Sequence, residues 1–380
     1  MKTLNKLNVG IVGACGRGAS FRKACDALDS IAIHAVCDIR KDQLDKARER
    51  LGARERYTDY EEMLETSELD MVIIGTPMHL HASQAIAALK RDLHVLSEVT
   101  AGVSIEECRE LVLAAQASRG VYMMAENYIY RKPNQIISEL VRQGLFGTPY
   151  YAEGEYIHEL KYMNEHSTPW RRKWQTGVEG ITYGTHSLGP ILQWMPGDRV
   201  CRVCCEGAGV RHTDGSGRPY SQASSTMLCK TEKDALIKIR VDMLSDRPHA
   251  MTNYQLQGTD GCYESARAGG ESDRIWLRNL SKEMAWSDLS VFSGISELAE
   301  KYMPENWRTH GEAASNAGHG GGDYFEILDF VEAVEGKRPV KVGIHESMDM
   351  TLPGLISQQS IHEGGAWLEV PDSRNWMQAD

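Results

Sequence analysis

The sequence predicts an α/β protein in two parts: an N-terminal doubly wound parallel sheet, and a C-terminal α+β domain with an open, mostly antiparallel sheet. Three observations carry this reading. Short apolar runs alternate with helix-compatible stretches as far as residue 126, the pattern of a parallel sheet covered by helices. Beyond Tyr150 the apolar runs follow one another with only turns between them, as in an antiparallel sheet. The chain is 380 residues long, more than one typical domain, so we divide it into 1–126 and 127–380.

The first strand and turn, Lys6 to Phe21, read KLNVGIVGACGRGASF. Val9, Ile11 and Val12 form the strand, and Gly13, Gly16 and Gly18 follow before a helix over Ala19 to Leu28. A strand that ends in glycines and opens a helix offers backbone N–H groups to a pyrophosphate. The middle glycine of that fingerprint falls on Cys15, between Gly13 and Arg17. The second strand, Ala32 to Cys37, ends at Asp38, twenty residues after Gly18. A carboxylate there hydrogen-bonds the hydroxyls of an adenosine ribose and repels a 2′-phosphate, which favours NAD over NADP. Arg40 lies close enough to soften that preference. Asp38 also reads as the N-cap of a helix over Lys41 to Leu51, and the two readings stay open.

The alternation continues in order. Tyr60 to Glu65 is helical, Leu69 to Ile74 is a buried strand, and His81 to Leu89 is a helix. His94 to Leu96 is a strand ending at Ser97 and Glu98. Ser104 and Glu107 make a capping box for a helix to Ser118, and Val121 to Met124 is a further strand. Ligands of such sheets sit beyond the strand ends, so Asp38, Thr76, Glu98 and Glu126 are the residues to watch.

Composition excludes several function classes. A net charge of −11 gives no basic footprint for nucleic acid or an anionic membrane. No apolar run approaches the roughly 18 residues of a membrane span. The first strand begins so early that no signal peptide is expected, which points to a cytoplasmic protein. Nine scattered cysteines are too sparse for a disulfide framework in a chain of this length. Cys201, Cys204 and Cys205 group together but lack a second ligand pair at zinc spacing, and no metal is expected.

From Thr76-Pro77, His79 and His81, and then Leu93 to Glu98, the chain resembles the Gfo/Idh/MocA oxidoreductase family. The resemblance implies a Rossmann N-terminal domain, with NAD held by Gly13, Cys15, Gly16, Arg17, Gly18, Asp38, Thr76, Pro77, His81 and Glu98. It also implies a C-terminal domain whose sheet carries the substrate and the oligomer contacts. Where typical members have Glu-Lys-Pro, this sequence has Glu98-Val99-Thr100, so the family's proton-transferring lysine is missing. The segment Thr182 to Pro190, with Tyr183 and His186, resembles that of the NAD-dependent glycoside hydrolases of the α-N-acetylgalactosaminidase type, a branch that also lacks the lysine. Glu126 in Glu-Asn, Tyr156 and His158 in Tyr-Ile-His-Glu, Arg171, and Tyr324 in Gly-His-Gly-Gly-Gly-Asp-Tyr match that branch as well.

The resemblance implies hydrolysis of a glycoside with no net redox change. NAD⁺ takes a hydride from the sugar 3-position, the aglycone leaves by elimination, water adds, and the hydride returns. His186, Tyr183, Tyr324 and Tyr156 are the candidate catalytic groups; Arg171, Glu126 and His158 are the candidate substrate contacts. His186 suits a proton relay because an imidazole titrates near neutral pH. Other readings stand beside these. His186 fits a core histidine, Tyr156 a plain sheet residue, and the run after Trp170 a solvated basic loop. The glycines at 318–322 fit a turn before the helix at Tyr324 to Val334.

In the second domain, Tyr150 to Ile157, Val200 to Cys205, Ser225 to Cys229, Ala235 to Asp242 and Asn253 to Gln257 read as strands. A helix over Glu346 to His362 and a strand near Trp367 to Val370 close the chain. Residues 264–311 give no clear pattern. The expected partners are a small sugar or glycoside and further copies of the chain, in a dimer or tetramer. A conventional NAD-dependent sugar or polyol dehydrogenase, and a non-catalytic cofactor-binding protein, are the competing functions.

Overall fold

The computed structural model describes residues 6–248, 251–281 and 283–377. The chain forms two compact units, and each is built from more than one stretch of sequence. The first comprises the chain up to Tyr130, Gly311–Met348 and the residues from Asp372 onward; the second comprises Arg131–His310 and Asp349–Pro371. The N-terminal part thus closes near residue 130 and recruits a late segment that the expected division at 126 leaves in the second domain.

In the first unit six strands lie in the order β3-β2-β1-β4-β5-β6. They are β1 (Leu7–Val12), β2 (Ile31–Cys37), β3 (Glu55–Tyr57), β4 (Met71–Ile74), β5 (His94–Ser97) and β6 (Tyr122–Met124). All neighbours pair parallel. Val9, Ile11, Ile73, Ile74, Val95 and Leu96 are fully buried, because helices cover both faces. The order reverses between β1 and β4, and such a switch point leaves a crevice beyond the strand ends.

Helices Lys41–Leu51 and His81–Leu89 stand where the apolar spacing puts them. Helix Ile105–Ala117 starts at Ser104, whose hydroxyl accepts the Glu107 N–H at 3.1 Å, while the Glu107 carboxylate takes the Val103 N–H at 3.0 Å. The first helix differs from expectation. Gly13 O accepts from both Gly16 and Gly18, and a tight 3₁₀ turn, Arg17–Phe21, precedes a short helix, Arg22–Asp26. Strand β3 is three partly exposed residues at the sheet edge, too short to show alternation. Helix Gly322–Val334 completes the unit by burying Phe325, Ile327 and Phe330 completely.

The second unit holds a nine-stranded sheet. Its strands are β7 (Pro149–Ile157), β8 (Val200–Gly207), β9 (Ser224–Thr231), β10 (Leu236–Asp242), β11 (Thr252–Gly258), β12 (Gly261–Glu264), β13 (Arg274–Leu277), β14 (Ser287–Asp288) and β15 (Leu368–Glu369). They run in the order β14-β13-β12-β11-β7-β10-β9-β8-β15, antiparallel except for β7 with β10. Alternation decides the faces. Ile237 and Ile239 are buried, whereas Lys238 and Arg240, alternating with them, pair with Glu153 and Glu155 on the opposite face. Asp234 turns the β9–β10 hairpin at φ 72°. The stretch left unplaced by the sequence supplies β13, β14 and helices Glu297–Tyr302 and Glu305–Ser315.

Candidate functional site

The candidate residues fall into two groups, one in each unit. In the first unit the glycine turn is shaped by close packing. Gly13 has φ 80°, and a Cβ on it would lie 2.4 Å from the carbonyl oxygen of Gly75. A Cβ on Gly18 would lie 2.8 Å from Ile11 and 2.9 Å from Gly13 O. No larger residue fits either place, so the turn stays tight against the ends of β1 and β4.

Asp38, 6% exposed, receives four hydrogen bonds. The Cys15 N–H donates at 2.9 Å, and the Arg40 N–H, Nε and Nη2 each donate at 3.0 Å. Burial opposes the charge of Asp38, but Arg40 and the two backbone donors outweigh it and hold its carboxyl below the usual range. Asp38 is therefore no side-chain cap of helix Lys41–Leu51, whose N-cap is Arg40. Burial and the neighbouring Asp38 push the Cys15 thiol up to about 11. An uncharged thiol at the glycine position adds no negative charge next to a pyrophosphate. Tight turn, neutral thiol and ionised Asp38 together fit a bound NAD.

The remaining first-unit candidates are tied to one another. His81 is buried, with Nδ1 2.9 Å from Thr100 O and Nε2 2.9 Å from Thr76 O. Both nitrogens face chain carbonyls, so His81 joins the loops after β4 and β5 rather than presenting a nitrogen to a ligand. Burial keeps its pKa below the ordinary histidine value. Thr76 donates its hydroxyl to Gln84 at 2.6 Å, and Pro77 leads into the 3₁₀ turn Met78–Leu80. Arg17 turns its guanidinium to carboxylates, with Nε 2.5 Å from Glu98 and Nη2 3.0 Å from Asp323. Glu126 is fully buried beyond β6, and its Oε1 accepts the Tyr128 N–H at 3.2 Å. Tyr324 is 3% exposed, and burial, with Glu332 adding to it, raises its phenol.

In the second unit three expected catalytic residues meet. Tyr156 stands near the end of β7; Tyr183 lies in the turn before helix Thr185–Trp194, and His186 in its first turn. Ring centroids are 5.3 Å apart for Tyr156 and His186, 5.3 Å for Tyr183 and His186, and 5.8 Å for Tyr156 and Tyr183. His158 follows β7 and lies 6.0 Å from Tyr156, edge to face. The close approach has a residue-level cause. A Cβ on Gly154 would lie 2.6 Å from Ser187 O, so glycine lets the helix seat on β7. Tyr254 of β11 donates its hydroxyl to His186 O at 2.5 Å and fixes the helix start. Arg171 is held by Thr168 at 3.1 Å and Gln175 at 2.6 Å, over the Trp170 ring.

Residues missed by the sequence reading are Asn127, His319, Asp323 and Glu326 in the first unit and Gly154 and Tyr254 in the second. Asp323, Glu326 and Asp329 recur every three residues on a helix and are all buried. That acidic stripe in an apolar helix was a legible signal. Among the described residues, no group of three or more His, Cys, Asp or Glu side chains could hold a metal, and no helix is long and apolar enough to cross a membrane.

Residues 7–126 match the model of the oxidoreductase family, NAD-binding Rossmann fold, and residues 218–378 match that of the glycosyl hydrolase 109 C-terminal domain. A glycosyl hydrolase family 109 protein of Saccharopolyspora erythraea is 28% identical over 395 residues, spanning 96% of this chain and 83% of the relative. The alpha-N-acetylgalactosaminidase of Shewanella oneidensis is 28% identical over 396 residues, spanning 96% and 84%. Among solved structures, levoglucosan dehydrogenase in complex with NADH and L-sorbose superposes with a TM-score of 0.79 at 17% identity, over 97% of this chain and 100% of that one. An NAD-binding oxidoreductase from Klebsiella pneumoniae gives 0.78 at 19% identity, over 96% and 99%. At these identities the structural likeness concerns the fold.

Proposed function

We propose a redox-neutral glycosidase, from the premise that the chain belongs to the Gfo/Idh/MocA oxidoreductases and carries the C-terminal domain of glycosyl hydrolase family 109. It is an NAD-dependent enzyme acting on carbohydrate. The observation that carries the hydrolytic reading is the cluster of Tyr156, Tyr183 and His186, within 5.3–5.8 Å of one another, in a chain with valine at the lysine position. Hydrolysis through a transient 3-keto sugar requires several proton transfers on one ring, and a dehydrogenation requires one.

When bound, NAD supplies a hydride acceptor at the sugar 3-position that also gives the hydride back. Gly13, Gly16, Gly18 and Asp38 would hold it, and the Asp38 charge disfavours a 2′-phosphate. His186 takes the 3-hydroxyl proton as that carbon is oxidised and returns it at the end. Tyr183, at its edge, shares this proton and donates to the developing oxyanion. Tyr156 removes the proton at the 2-position. In the first unit Tyr324 keeps a neutral phenol, a group able to donate a proton. Arg171, with His158, orients sugar hydroxyls or an N-acyl oxygen.

We also read the protein as a cytoplasmic homo-oligomer, a dimer or tetramer. Support for the oligomer is the open sheet, whose outer face carries paired charges at Glu153, Glu155, Lys238, Arg240 and Arg267. Light scattering of the purified chain tests it.

Incubation with a panel of nitrophenyl glycosides, following nitrophenol and NADH together, tests the activity. Aglycone release with no accumulating NADH is expected. Steady NADH formation from free sugars, with no release, would overturn the hydrolytic reading in favour of a dehydrogenase.

A further inference from the structure

One carboxylate gathers more of the first unit than any role given above explains. Asp323 is 1% exposed and receives donors from three separate segments. Arg17 donates through Nη2 at 3.0 Å and Nη1 at 3.2 Å; Asn127 donates through Nδ2 at 3.1 Å; His319 Nδ1 lies 2.9 Å from both oxygens. Arg17 comes from the glycine turn after β1 and Asn127 from the loop after β6, while His319 comes from the glycine-rich stretch that leads into Tyr324. Arg17 also donates through Nε to Glu98, after β5, at 2.5 Å. The ends of β1, β5 and β6 are thereby bound to helix Gly322–Val334.

The guanidinium donates to Glu98, Ser20 and Asp323, although Arg17 sits between two glycines of the cofactor turn. Burial opposes ionisation of Asp323, but His319 and Arg17 overcome it and keep its carboxyl well below the usual range. Glu326, one turn along the helix and fully buried, lies 4.0 Å from Arg17 Nη2 with neither oxygen hydrogen-bonded. Two carboxylates, Asp323 and Glu98, thus hold the guanidinium from opposite elements of the unit.

We propose that Asp323 is a positioning residue for the cofactor: through the Arg17 fork it holds the glycine turn in its binding shape and ties that turn to the segment carrying Tyr324. It sets how long NAD stays bound, not which sugar is used. The inference deepens the redox-neutral reading, in which one NAD serves many turnovers and must not leave between them.

The test is the dissociation rate of radiolabelled NAD⁺ from the full-length protein, read by filter retention, without any sugar. Asp323→Asn and Arg17→Lys should each release NAD at least about 10-fold faster than wild type, the scale of one charge-assisted hydrogen bond. Because both act through one contact, the double variant should release no faster than the faster single variant. Arg338→Gln removes an ion pair to Asp329 on the same helix, away from this node, and should leave the rate unchanged even where it lowers the urea midpoint. Rates within about 2-fold of wild type for both single variants, or effects that multiply in the double variant, would overturn the proposal. If Asp323→Asn fails to fold, Arg17→Lys alone decides. No sugar chemistry enters the measurement, so a failed glycoside assay leaves this result standing, and the reverse also holds.

Discussion

Glu326 shows what burial does to a single side chain here. Burial first, and then the neighbouring Asp323 charge, raise its carboxyl well above the ordinary value of 4.5 and favour the protonated acid. The sign of its effect on stability follows. Below pH 4.5 folded and unfolded chains are both protonated, and the contribution of Glu326 is fully present. As pH rises above that, the unfolded chain releases the proton while the folded chain keeps it, so stability is lost up to the folded pKa. Glu326→Gln removes this titration. Its urea midpoint relative to wild type should climb as pH rises above 4.5; a constant difference would show that Glu326 ionises normally. At Asp38, substitution by Ala frees the Arg40 guanidinium. Binding of NAD should weaken and that of NADP strengthen, narrowing the preference by at least about 10-fold, measured by fluorescence titration with both cofactors. His186→Ala should lower turnover by about 10²–10⁴-fold while NAD still co-purifies; undiminished turnover would remove it from the proton relay.

At the scale of elements, the candidate site depends on how one helix seats on one strand. Helix Thr185–Trp194 places His186, β7 places Tyr156, and Gly154 permits the approach. Gly154→Ala would push a methyl into Ser187 O. The expected loss is about 1–3 kcal/mol of stability, as for overpacked cores generally, together with a fall in kcat as the rings separate. A thermal melt and steady-state kinetics on the same preparation check both; normal kcat at reduced stability would show that the ring geometry tolerates the shift. The helix has a second anchor in Trp194, fully buried, whose Nε1 donates to Asn134 O at 3.1 Å and whose ring meets Tyr254 and Tyr263 edge on. Period-2 alternation made most strands of this sheet legible. The later ones were not, because β13 and β14 are four and two residues long, too short for their alternation to stand out from the polar sequence around them.

For the molecule as a whole, the discontinuous first unit has a direct consequence. Helix Gly322–Val334 supplies Phe325, Ile327, Phe330 and Val331 to its core, each at most 1% exposed. A fragment ending at residue 126 would leave that surface uncovered. We expect the fragment to lack a cooperative thermal transition, and one that also carries residues 311–348 to regain it; calorimetry of the two distinguishes them. The alternation of strands and helices, the glycine turn, Asp38 at its distance and the Tyr183–His186 segment were all set by local sequence, because period and turn chemistry act over a few residues. Which side chains share a charge was decided by the tertiary structure alone. Arg17 and Asp323 are 306 residues apart, and neither residue type announces a partner. Local pattern records which face of an element is buried. It does not record which distant charge meets it there, since that follows from where the chain returns to the sheet.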